Sequence, residues 1–181
     1  MLYVQLNKEF FENDIHSLVK AFYPSENVSV CTAKKECSEA VSLRIDVEYR
    51  VNEVAMRLMS EAEVQALLEQ EHGADSALSE TRSGSSTKNR YQEIAFTVDY
   101  SDRKETRNLL KQNLYDLLSE HAGRTLPWGT LTGVRPTKIP MTMLEEGHTT
   151  DEIRDHMKKA YGVSDKKIDL SIEIAMRERE L

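Results

Sequence analysis

Apolar and polar residues alternate in four short runs along this chain, and elsewhere the apolar positions recur at helical spacing. Leu2, Val4 and Leu6 stand against Tyr3 and Gln5, which predicts a short strand. Phe10, Phe11, Ile15, Leu18, Val19 and Phe22 then follow a helical period that Pro24 closes. The longest alternation sets Leu43, Ile45, Val47, Tyr49 and Val51 against Arg44, Asp46, Glu48 and Arg50. That is a strand with one buried and one wet face, as an antiparallel sheet permits. Asn52-Glu53 predicts a turn into Val54, Met56 and Leu58, and Ile94, Phe96, Val98 and Tyr100 give a fourth strand. Asp102 and Glu105 have capping-box spacing ahead of a helix through Leu109, Leu110, Leu114, Leu117 and Leu118, which Gly123 stops.

The order β-α-β-β-β-α predicts an α+β fold: an antiparallel sheet of about four strands with two helices on its apolar face. After residue 125 the pattern is helical, with three helices at about 138–146, 150–161 and 165–181, punctuated by Gly147 and Gly162. The expected division is a sheet domain over 1–125 and a loop plus helical segment over 126–181 packed on it. Glu61 to Glu71 fits a helix through Val64, Leu67 and Leu68. Residues 73–89 are polar and serine-rich, and Ser83-Gly84-Ser85-Ser86-Thr87 has nothing apolar to bury, which predicts a flexible loop.

Composition narrows the classes. With 181 residues, 39% hydrophobic and 30% charged, the chain can form a core without a disulfide or metal. A net charge of −7 with no basic cluster argues against a nucleic-acid surface. The N-terminus lacks the basic and apolar regions of a signal peptide, and no apolar run is long enough to span a membrane, so no membrane partner is expected. Two cysteines and no export signal point to a reducing cytoplasm. Cys31 and Cys37 flank Thr-Ala-Lys-Lys-Glu in a polar loop, and C-x5-C fits no common zinc or redox spacing. The five histidines show no metal-ligand spacing, so no metal site is expected.

Residues 126–140, Leu-Pro-Trp-Gly-Thr-Leu-Thr-Gly-Val-Arg-Pro-Thr-Lys-Ile-Pro, carry the most information. They hold Trp128, which is the chain's single tryptophan, three of its four prolines (Pro127, Pro136, Pro140), and Gly129 and Gly133. Fixed-φ and free-φ residues in such density make a defined loop rather than a regular element. Trp128, Gly129, Gly133 and Pro136 are its structural residues.

Pro127 to Lys138 resembles the "WG-hydrophobic-LTG-hydrophobic-RPTK" segment of coproporphyrinogen III dehydrogenase-like proteins, also called oxygen-independent coproporphyrinogen oxidase-like. Those are radical S-adenosylmethionine (SAM) enzymes. The resemblance extends through Thr149–Glu152 and Tyr161-Gly162-Val163-Ser164. It covers residues 91–181 well and the first 90 only in general layout. It implies a protein that uses SAM and a [4Fe–4S] cluster to oxidise coproporphyrinogen III propionates to vinyls in haem synthesis. The superfamily's cluster motif, C-x3-C-x2-C, is not in this chain, and two thiolates cannot hold that cluster. The expectation is therefore an N-terminal accessory region without cofactors of its own and inactive alone. The downstream radical-SAM barrel of the same polypeptide would be its partner.

Arg135, Thr137 and Lys138 are the candidate contacts to substrate, to another anion or to a neighbouring domain. Arg135 precedes Pro136 and is biased to extended backbone, Thr137 is the expected N-cap, and Lys138 lies in the first turn. Free amides with two cations suit an anion such as a propionate or the SAM carboxylate. The competing reading has Arg135 paired to an acidic side chain inside the loop and Trp128 filling the core; structural ion pairs outnumber ligand sites, which favours it. An alternative for the whole chain lies at Ala160-Tyr161-Gly162-Val163-Ser164, a turn of helix-turn-helix type that would make it a DNA-binding or protein-interaction module. The second helix carries Asp165, Asp169, Glu173, Glu178 and Glu180, which phosphates would repel.

Overall fold

The computed structural model describes residues 1–32, 41–66, 92–132 and 135–180. Contacts divide the chain into two compact units, Met1–Glu12 with Ser25–Tyr100, and Asn13–Pro24 with Ser101–Leu181. The expected boundary lay at residue 125. The contacts instead group both early helices with the helical segment that follows.

The first unit is a sheet of five strands: β1 (Leu2–Leu6), β2 (Val28–Cys31), β3 (Leu43–Tyr49), β4 (Glu53–Ser60) and β5 (Gln92–Thr97). The spatial order is β2-β1-β3-β4-β5. β3–β4 and β4–β5 are antiparallel, as the alternation predicts, and a short turn joins β3 to β4 through the Arg50 N–H to Glu53 O bond of 2.9 Å. The expectation of about four antiparallel strands is corrected in two respects. β2 is an additional strand, and β1 runs parallel to both of its neighbours. A four-residue strand with two valines is too short to show a period. Strand direction depends on which partner the chain returns to, which alternation does not encode.

Register aligns the apolar face: Leu2, Val4 and Leu6 lie beside Leu43, Ile45 and Val47, and the latter two lie beside Leu58 and Met56. Those residues are almost fully buried. Tyr3 and Met59, on the opposite face, are buried as well, so β1 and β4 are enclosed on both sides. Past Leu6 the Asn7 side chain continues the ladder, accepting from Tyr49 N at 2.8 Å and donating to Tyr49 O at 3.2 Å. Residues 61–66, which follow β4 directly, are helical as expected. The remainder of that predicted helix, the predicted loop at 73–89, Cys37 and Gly133 lie outside the described residues.

The second unit contains α1 (Glu12–Phe22, apart from its first residue), α2 (Arg103–Ala122), α3 (Lys138–Glu145), α4 (Thr150–Tyr161) and α5 (Asp165–Arg179). The three C-terminal helices are those the periodicity predicts. α1 meets α2 through an edge-on pair, Phe22 with Tyr115 at 5.3 Å, and through the 2.8 Å bond between Tyr23 Oη and His121 Nδ1. Asp102 caps α2 by accepting from Glu105 N at 2.9 Å, and Gly123 ends it at φ 61°. Leu144, Ile153, Met157, Val163, Ile168, Ile172 and Ala175 form the core of α3–α5.

A loop seated on the helical turn, and the pocket beside it

The loop from Leu126 to Thr132 is fixed from both flanks. Tyr115 Oη accepts from Leu126 N at 2.9 Å, so α2 sets where the loop begins. On the other side the loop lies on the turn between α4 and α5. Thr130 N donates to Tyr161 O at 2.8 Å, and Pro127 O accepts from both the N–H and the hydroxyl of Ser164 at 3.0 Å each. Gln112 Nε2 donates to Ala160 O at 2.7 Å. Two carbonyls that α4 leaves unpaired at its end are thereby satisfied from outside the helix. The Ser164 hydroxyl clamps Pro127 rather than capping α5.

Gly129 shows why the seat is so close. Its φ is 55°, and a Cβ placed on it would stand 1.9 Å from Tyr161 O and 2.7 Å from Gly162 C. Backbone lies against backbone there, which only glycine allows. Trp128 beside it is half-buried against the α3–α5 core, with Lys167 Nζ 5.2 Å from its ring centre. The expectation that Trp128 fills the core is corrected to a partial insertion.

Leu126, Pro127, Trp128, Gly129, Leu131 and Thr132 face Ser17, Lys20 and Ala21 of α1 across a pocket of about 440 Å³. Lys111 of α2 is half-buried beside it and donates to Thr132 Oγ1 at 3.4 Å. Burial pulls the Lys111 ammonium below the usual lysine range; Asp14 opposes that shift and Arg107 adds to it.

The sequence candidates sit further along. Arg135 and Lys138 are exposed, and among the described residues neither makes an ion pair or a side-chain hydrogen bond. Among the described residues no carboxylate pairs with Arg135, so the internal ion pair of the competing reading has no partner there. Thr137 occupies the N-cap position of α3 with helical φ and ψ and without a side-chain cap bond, so the expected capping contact is not made. Pro136 is half-buried. Sequence reasoning missed Lys20 and Lys111. Lys111 had left a signal: it stands three before Leu114 and seven before Leu118, on the buried stripe of α2.

Cys31 ends β2 half-buried, with Ser29 Oγ 3.5 Å from its Sγ, rather than lying in a polar loop. Among the described residues no three His, Cys, Asp or Glu side chains are grouped to hold a metal, and the chain's two cysteines do not fit a cluster that needs three thiolates. Among the described residues no helix is long and apolar enough to cross a membrane.

This chain is similar to a protein of Bacillus subtilis (strain 168) described as oxygen-independent coproporphyrinogen-III oxidase-like protein HemZ. The two are 35% identical over 86 residues, 46% of this chain and 17% of the relative. The chain therefore spans a small part of that relative's length. No family model matches it, and no solved structure matches it.

Proposed function

We propose that this chain is the N-terminal accessory region of a radical-SAM oxidoreductase resembling coproporphyrinogen III dehydrogenase, acting in haem synthesis in the cytoplasm. The 35% identity to HemZ over 86 residues carries this reading, together with the small share of that relative which the match covers. In this reading SAM and the [4Fe–4S] cluster belong to a downstream barrel of the same polypeptide. That group would supply the radical chemistry, and no residue of this chain would ligate it. Arg135, Thr137 and Lys138 contact an anionic group of the substrate or of the barrel. Their freedom from described internal partners supports this, since exposed cations at a helix start are available to an anion. The DNA-binding alternative has less support. The helix α5 exposes Asp165, Asp169, Glu173 and Glu178, carboxylates that phosphates would repel.

Two measurements test the proposal. The coding sequence beyond this chain should contain C-x3-C-x2-C, and its absence would sink the superfamily assignment. In the longer protein, Arg135→Ala and Lys138→Ala should slow turnover while leaving the melting temperature of this region unchanged. Full activity in the double variant would remove these residues from the anion contact.

A further inference from the structure

We infer that the pocket between α1 and the Leu126–Thr132 loop binds a small organic anion: a flat apolar ring system bearing one carboxylate. This stands on the pocket's own chemistry and does not depend on the function proposed above.

The lining decides the body of the ligand. Ala21, Leu126, Pro127, Trp128 and Leu131 present apolar surface, and at about 440 Å³ the volume falls within the range of small-molecule sites. Trp128 offers an indole, and flat rings stack on indoles. The charges decide the head group. Lys20 lines the pocket, Lys167 lies at the Trp128 ring, and Lys111 stands behind Thr132.

Lys111 is the informative member. An ammonium has three N–H donors. Among the described residues this one engages a single acceptor, Thr132 Oγ1, at a long 3.4 Å, and closes no ion pair. Asp14 attracts it from beyond ion-pair distance and Arg107 repels it. A half-buried cation whose one hydrogen bond goes to the pocket wall at Thr132 lends positive charge to that side of the pocket, where a carboxylate is favoured.

The test uses 2-naphthoate, with 2-naphthalenemethanol as its uncharged counterpart. Binding is followed in amide correlation spectra, where the single tryptophan gives one indole cross-peak. Naphthoate should shift that peak and the Thr132 amide saturably, and the alcohol should bind at least about tenfold more weakly, since it lacks the charge-assisted contact. Lys111→Met should erase most of that preference without changing the alcohol's affinity. Lys20→Met serves as a second variant should Lys111→Met fail to fold. Equal binding of acid and alcohol, shifts that map away from the pocket, or no saturable shift at millimolar ligand would each overturn the proposal.

Discussion

Replacing Gly129 by alanine isolates the contact that seats the loop on the α4–α5 turn. The new Cβ would lie 1.9 Å from Tyr161 O and 2.8 Å from Gly162 O, both backbone atoms that no rotamer change can move. A φ of 55° costs an L-residue about 1–2 kcal/mol by itself. Relieving the clash strains packing at about 1–3 kcal/mol. It also stretches the 2.8 Å bond from Thr130 N to Tyr161 O, about 1 kcal/mol more. The expected loss is about 3–6 kcal/mol. Gly123 and Gly162 supply the controls: φ is 61° and 67°, and an added Cβ meets nothing within 4 Å, so Gly123→Ala and Gly162→Ala should lose about 1–2 kcal/mol each. Guanidinium melts followed by far-ultraviolet circular dichroism and by Trp128 emission measure all three. The comparison uses the midpoint at constant slope for the transition that Trp128 reports. A loss for Gly129→Ala no more than about 1 kcal/mol beyond that of Gly162→Ala would refute the close seat.

Two further expectations concern pH. The Thr149 amide and hydroxyl bonds hold the Glu152 carboxyl below its usual 4.5 in the folded state, so its stabilisation is complete above that value and is lost as pH falls through the folded pKa. Glu152→Gln should flatten the acid limb of the stability profile, and an unchanged limb would count against the cap. Lys111 has the opposite linkage. Its folded pKa lies below the unfolded 10.5, so the unfolded chain holds more protons between those values and stability rises with pH there. Lys111→Met should therefore be more stable than the native chain near neutrality, with a lead that shrinks as pH approaches 10.5. A constant lead would mean the amine is not desolvated.

The elements that depend on near neighbours in the chain were legible from residue order alone. The β3 alternation, the Gly123 and Gly162 helix ends and the Thr149–Glu152 start all formed, because burial period, left-handed φ and capping bonds are settled within a few residues. The density of proline, glycine and tryptophan marked the loop at Leu126–Thr132 for the same reason. Tertiary structure alone decided the rest. It placed β2 beside β1, turned β1 parallel, set Gly129 against Tyr161 and brought Lys111 to Thr132. Each of these joins positions far apart in the chain, such as Leu2 with Val28 or Gly129 with Tyr161. No local period or propensity encodes such a pairing; it is fixed by which buried surfaces and unpaired backbone groups the folded chain must satisfy together.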